Sequence, residues 1–299
     1  MSSLQKRVQM VQNSSLLVAR PIGFCSGVER ALKLARNALQ QNALNQNGRV
    51  FSLGELIHNP IVVEELRNQG LIPIESLSQA RNRTLVIRSH GCAPDLLAQA
   101  KRLKINIIDA TCPNVAKVQH YAQKLSSEGY TVVVVGDETH PEVKSILAYA
   151  KNLGIVYKPN RKIAAKRIGV LAQTTASPAL FRSAIANLLE FNPRLEEIIV
   201  YNTICQEALA RQNAVKEIGS RVDMMLIVGG KNSANTRRLV ETVRQIGKPV
   251  YHIEDKREID WQILAQNRPS RIGIAAGTST PSWVIDEIVK ILQAKEVKA

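Results

Sequence analysis

Long apolar runs are missing from this chain. Nothing approaches the roughly 18 consecutive apolar residues of a membrane span, which excludes a helical membrane protein. Aromatic residues are few, at 4%, and there is no RNA-binding fingerprint or zinc-finger spacing, so nucleic acid is not the expected partner. Acidic residues are outnumbered by basic ones, 25 against 40, and the net charge of +15 calls for anionic company. Because Lys and Arg are spread along the chain, small anions or an acidic redox protein are expected. Cysteine is scarce too. Four cysteines, with no apolar signal-peptide core in the first 13 residues, argue against a disulfide framework. They favour metal or catalytic use of thiols and a cytoplasmic location. At 299 residues and 45% apolar, the chain is long enough for a substantial core.

What is present is ordered. Cys25, Cys112 and Cys205 occupy one recurring slot, 87 and 93 residues apart. Each follows a short apolar run (Leu16-Leu-Val-Ala, Ile105-Asn-Ile-Ile, Glu197-Ile-Ile-Val) and precedes a helical pattern. Three equivalent sulfurs from three repeats can converge on one axis and make a metal or iron–sulfur site with a vacant fourth position. Cys92 lies off that slot and reads as a bystander, because unpaired cysteines are commonly buried and inert.

Each third repeats the same series of apolar runs ending in turn residues and leading into helical patterns. Val50–Leu53 reaches His58 and Asn59, and Leu85–Arg88 reaches His90. Thr131–Val135 reaches His140-Pro-Glu142, and Arg167–Gln173 reaches Thr174. Met224–Val228 reaches Ser233 and Asn235, and Arg271–Ala276 reaches Ser279. A weaker strand lies in each third, at Leu71–Ile74, Ile155–Tyr157 and Val250–Ile253. The pattern predicts an α/β chain of three pseudo-repeated, parallel four-stranded sheet domains with helices. Expected boundaries are 14–112, 113–200 and 201–299, with 1–13 a polar N-terminal extension. Ligands bind beyond the carboxyl ends of such strands, so sheets facing inward would gather the corner residues around one cavity.

The corner cysteines begin helices, where unpaired N–H groups and the dipole favour thiolate. Three thiolates could hold zinc with an open position, or an iron–sulfur cubane with one open iron; spacing does not separate the two. His58, His90 and His140 with Ser233, Asn235 and Ser279 form a donor-rich wall backed by helix N-termini, which suits phosphate oxygens. Simpler uses exist: Thr174, Ser233 and Ser279 as helix N-caps, and His140-Pro-Glu142 as a helix opening. Glu142 is the only carboxylate at the corners. With the Thr174 hydroxyl and nearby His140, it is the candidate proton donor. A soft metal centre, a proton source and a polyanion pocket together suggest an electron-fed reaction on a phosphorylated substrate.

The stretches GFCSGVERA, ELIHNP, SHG, DATCP, THPEV, QTT, ICQEALARQ, KNSANT and GTS, in that order from about Val18 onward, resemble the 4-hydroxy-3-methylbut-2-enyl diphosphate reductase (LytB/IspH) family. The resemblance implies a trefoil of three α/β domains around a 4Fe–4S cluster held by Cys25, Cys112 and Cys205, with one open iron. It implies an oxidoreductase that removes the substrate hydroxyl as water. The products would be isopentenyl and dimethylallyl diphosphates, in the last step of the methylerythritol phosphate route of isoprene biosynthesis. Glu142, Thr174 and His140 would deliver the proton, and His58, His90, His140, Ser233, Asn235 and Ser279 would hold the diphosphate. Electrons would come from ferredoxin or flavodoxin, acidic partners suited to a basic surface. The alternative is a cluster-bearing paralogue that acts on or binds a different diphosphate. Three positions depart from the family's usual pattern: Ala208 in place of Thr, Ile22 in place of Arg, and Cys92 in place of an aliphatic residue.

Overall fold

The computed structural model describes residues 15–44, 49–267 and 269–294. The expected 1–13 extension lies outside them. Twelve strands occur among the described residues: β1 (Ser15–Val18), β2 (Val50–Leu53), β3 (Leu71–Ile74), β4 (Thr84–Ile87), β5 (Asn106–Asp109), β6 (Thr131–Val135), β7 (Gly154–Val156), β8 (Arg167–Ala172), β9 (Glu197–Tyr201), β10 (Met224–Val228), β11 (Val250–Ile253) and β12 (Arg271–Ala276). Between them run α1 (Ser26–Leu44), α2 (Pro60–Asn68), α3 (Pro94–Arg102), α4 (Pro113–Ser127), α5 (Pro141–Tyr149), α6 (Pro178–Phe191), α7 (Gln206–Gly219), α8 (Ala234–Gln245), α9 (Trp261–Asn267) and α10 (Ser282–Ala294). None is long and apolar enough to cross a membrane.

The strands form three four-stranded sheets, ordered β1-β12-β10-β11, β3-β2-β4-β5 and β7-β6-β8-β9. Every pairing is parallel, so the expected α/β class with three parallel sheets is what the chain adopts. One edge strand of each sheet runs into a cysteine: β1 toward Cys25, β5 toward Cys112 and β9 toward Cys205. The sheet built from the last third is completed by β1, the first strand among the described residues, with Ser15 opposite Arg271 and Val18 opposite Ile274.

By packing, the chain divides into two compact units. One comprises Met1–Cys25, His58–Pro60 and Gln206–Ala299; the other comprises Ser26–Ile57 and Ile61–Cys205. The first holds the β1-β12-β10-β11 sheet and the second holds the other two.

Local sequence explains the elements. Central strands such as β6 (TVVVV) and β10 (MMLIV) are apolar almost throughout and buried, as parallel strands covered on both faces must be. In the second unit Val132, Val134 and Leu171 pack against Val118 and Leu125 of α4 and Ile146 of α5. Gly169 permits the close approach of α4, because a Cβ there would stand 2.5 Å from Leu125 Cδ1. Helices α3, α4, α5 and α6 each begin with proline, whose missing N–H and fixed φ suit the first helical position. Strand, short turn and proline-led helix thus recur, which is what sets polar residues at the carboxyl ends of strands.

Candidate active site

In the unit of Ser26–Ile57 and Ile61–Cys205, two of the three corner cysteines come together. Cys112 is the N-cap of α4, and its N–H donates to Ser89 O at 2.9 Å. Cys205 precedes α7, and its N–H donates to Thr174 O at 2.8 Å. Both are thiols. Burial pushes the Cys112 thiol up, and the neighbouring charges of Cys205 and Glu142 add to that, against hydrogen bonds from the Asn114 and Val115 backbone. Asn114, two residues after Cys112, donates its Nδ2 to Cys205 Sγ at 3.3 Å, which places the two cysteines in one neighbourhood; sulfur ligands there would suit a soft metal.

Glu142 lies in the first turn of α5 and is 2% exposed. Thr174 donates its N–H to Oε1 at 2.7 Å and its hydroxyl to Oε2 at 2.9 Å. Burial raises the Glu142 carboxyl to about 7, because the two Thr174 bonds only partly offset the loss of water. A carboxyl balanced at neutrality and held by two donors is suited to carry and release a proton.

His140 is the N-cap of α5, and its Nδ1 accepts the Glu142 N–H at 3.2 Å. That bond assigns the ring proton to Nε2 in the neutral form. The His90 and His140 rings meet edge to face, with centroids 5.2 Å apart. The helix-opening role weighed for His140-Pro-Glu142 is real, and it coexists with a site geometry. Cys92, by contrast, is buried in a core cluster with Phe51, Leu53 and Ile87, and burial pushes its thiol up to about 12.

In the unit of Met1–Cys25, His58–Pro60 and Gln206–Ala299, a chain of bonds links the remaining cysteine to the anion-binding candidates. The Cys25 N–H donates to Thr278 O at 3.0 Å, and the Thr278 N–H donates to Asn235 Oδ1, also at 3.0 Å. Asn235 is 2% exposed, and its Nδ2 has no hydrogen-bond partner among the described residues. An unsatisfied buried amide donor is costly, and any oxygen acceptor would satisfy it. Ser233 caps α8, accepting the Thr236 N–H at 3.3 Å. Ser279 donates to His58 O at 3.0 Å. Gly230 lets the His58–Asn59 segment approach, since a Cβ there would lie 2.5 Å from the His58 carbonyl oxygen.

Residues outside the expected corners also shape the site. Thr278 bridges Cys25 and Asn235 through its backbone, which leaves no side-chain signature in a sequence. His252 hydrogen-bonds Gly229 O at 2.8 Å and supports the glycine turn that leads to Ser233. Its signal was a histidine in the middle of an apolar strand, Val250–Ile253.

Comparisons with known proteins place the chain in a family. A family model described as LytB protein matches residues 16–293. The chain is 39% identical over 282 residues to the 4-hydroxy-3-methylbut-2-enyl diphosphate reductase of Geobacter sulfurreducens, covering 93% of this chain and 96% of that one. It is 37% identical over 285 residues to the protein of the same name from Aquifex aeolicus, covering 93% and 96%. Among solved structures, the E-1-hydroxy-2-methyl-but-2-enyl-4-diphosphate reductase from Plasmodium falciparum superposes with a TM-score of 0.86 at 28% identity, covering 93% of this chain and 88% of that chain. A second, described as (E)-4-hydroxy-3-methyl-but-2-enyl diphosphate reductase, the terminal enzyme of the non-mevalonate pathway, gives 0.66 at 36% identity, covering 94% and 99%. Membership at this level carries an iron–sulfur cofactor with it. On the strength of a match that spans nearly every described residue, the chain belongs to the LytB family.

Proposed function

We propose that this chain reduces (E)-4-hydroxy-3-methylbut-2-enyl diphosphate, removing its hydroxyl as water to give isopentenyl and dimethylallyl diphosphates in the cytoplasm. The observation that carries the reading is Glu142: a buried carboxyl raised to about 7 and held by two donors of Thr174, whose carbonyl accepts the Cys205 N–H.

The donor set fits an iron–sulfur cofactor. Cys112 and Cys205 lie in one unit and are linked by the Asn114 bond to Cys205 Sγ, and Cys25 occupies the same strand-to-helix position in the other unit. We assign Cys25, Cys112 and Cys205 as the protein ligands of one 4Fe–4S cluster. When bound, such a cluster supplies one-electron reduction and an iron without a protein ligand.

This chain's residues supply the rest. Glu142 gives up its proton to the departing hydroxyl, which leaves as water, and the Thr174 N–H and hydroxyl hold its carboxyl in place for that transfer. The reduction takes two electrons in all, delivered one at a time, and a second proton that goes to the allylic carbon. His140, with Nδ1 engaged by the α5 backbone, presents Nε2. The Asn235 amide, with Ser233, Ser279, His58, His90 and His140, binds the diphosphate, and helix N-termini favour its phosphate oxygens. Electrons come from an acidic ferredoxin or flavodoxin attracted by the net charge of +15.

The test is an anaerobic turnover assay with the hydroxymethylbutenyl diphosphate and reduced viologen. Both five-carbon diphosphates are expected. Protein that carries a cluster and leaves the substrate intact would refute the assignment.

A further inference from the structure

Beyond the cysteines themselves, three side chains reach their slots through long-range hydrogen bonds, and they follow a cyclic rule. Helix α1 follows Cys25 and carries Arg30. Its Nη1 donates to Thr111 O at 3.0 Å and its Nη2 to Asp109 O at 3.3 Å, so one guanidinium spans the two carbonyls that lead into Cys112. Helix α4 follows Cys112 and carries Asn114, whose Nδ2 donates to Cys205 Sγ at 3.3 Å. Helix α7 follows Cys205 and carries Arg211, whose Nη2 donates at 2.8 Å to the carbonyl of Gly23, two residues before Cys25. Each cysteine's helix thus holds the slot of the next cysteine in the cycle, and each of these bonds lies inside a single compact unit.

We propose that Arg30, Asn114 and Arg211 are positioning residues that fix the three cysteines for the cluster. This rests on the iron–sulfur reading above. Each slot is also held by the cysteine's own N–H, to Thr278 O, Ser89 O and Thr174 O respectively, and the side-chain bonds add a second anchor. Gly23 sits at φ +83, in the left-handed region, and Arg211 fixes that turn through its carbonyl.

The charges have a second consequence. Arg211 is 3% exposed, and the carboxylate facing it, Glu207, stands 3.9 Å away and is itself 38% exposed. Arg211 Nη2 sits on the Gly23 carbonyl, two residues before Cys25, so the buried positive charge would favour negative charge on thiolate-held iron and sulfide, increasingly so after reduction. The Asn114 N–H to sulfur acts in the same direction, because hydrogen bonds to cluster sulfurs raise the potential. Removing either donor should therefore make reduction harder.

The test uses anaerobically reconstituted protein. Arg30→Met, Asn114→Ala and Arg211→Met are compared with the parent chain for the rate of iron loss to a chelator, the reduction midpoint, and the thermal midpoint of the cluster-free protein. Each variant should lose iron at least about tenfold faster. Asn114→Ala and Arg211→Met should also shift the reduction equilibrium about tenfold against the reduced form, which is about 59 mV for a one-electron couple. Arg30 and Asn114 lie on the surface, so their variants keep the parent's cluster-free thermal midpoint, and faster iron loss in them reports positioning rather than folding. If Arg211→Met does not fold, Arg211→Lys takes its place. An ammonium lacks the planar fork, so iron loss should still quicken while the midpoint stays near the parent value. Folded variants with the parent's iron-loss rate and midpoint would overturn the proposal. A parent chain that binds no iron would overturn the functional reading instead, and the two failures are distinguishable.

Discussion

Glu142→Gln isolates what burial does to the central carboxyl. The side chain loses its charge and little volume, and its oxygen still accepts from Thr174. In the parent chain the carboxyl stands at about 7 against an ordinary 4.5. The folded carboxyl's value is raised, so the fold binds the proton more tightly than the unfolded chain does. Stability therefore falls as pH rises between 4.5 and about 7, and the full cost is present above 7. At 1.36 kcal/mol per pKa unit, that cost is on the order of 3 kcal/mol. Glutamine does not ionise and escapes it. Denaturant unfolding of cluster-free protein should show Glu142→Gln gaining roughly 3 kcal/mol on the parent between pH 4.5 and pH 8. Turnover should move the other way. With the proton donor removed, it should drop by about 10²–10⁴, and the parent's fall in rate above pH 7 should vanish from the residual activity. A stability difference that is the same at pH 4.5 and pH 8 would refute the claim that an ionisable, desolvated Glu142 sits in this fold.

Other substitutions test neighbouring parts of the account. Asn235→Asp replaces the unpartnered Nδ2 with a carboxylate oxygen, and like charge against a diphosphate should raise KM by about 100-fold, roughly 3 kcal/mol, with the cluster spectrum unchanged. Gly230→Ala places a Cβ 2.5 Å from the His58 carbonyl oxygen; chemical denaturation should show a loss of about 1–3 kcal/mol, and KM for the diphosphate should rise with it. Cys92→Ala changes a buried thiol outside the ligand set, so iron content and visible absorption should match the parent; a loss of iron would place Cys92 in the cluster's shell.

Much of the fold was legible because its strands are short apolar runs that end at polar turns. β6, β8, β10 and β12 are continuous apolar segments, and even the weaker β3, β7 and β11 stood where the repeat required them. What sequence pattern could not give was pairing across long separations. β1 precedes Cys25 and reads as the start of the first third, yet its hydrogen-bond partner is β12, more than 250 residues away. Periodicity reports which face of an element is buried and is silent on its neighbour.

The site divides along the same line. Residue type at strand ends singles out Cys112, Cys205, Glu142 and Thr174; in the second compact unit Thr174 bonds Glu142 and accepts the Cys205 N–H, and Asn114, two residues after Cys112, bonds Cys205 Sγ. The bridge from Cys25 through the Thr278 peptide to Asn235 was not legible, because the connecting atoms are backbone. Nor were Arg30 and Arg211, since an arginine on a helix usually reads as a solvated charge. Arg211 is held in the interior by a carbonyl 188 residues earlier, a distance that no local pattern encodes.

The central claim is that three thiols of this chain hold an iron–sulfur cluster that feeds a reduction. Iron, sulfide and zinc analysis of protein purified without oxygen tests it most directly. The account predicts about four irons with matching sulfide per chain, and a broad visible absorption that dithionite bleaches. Stoichiometric zinc without iron would contradict it.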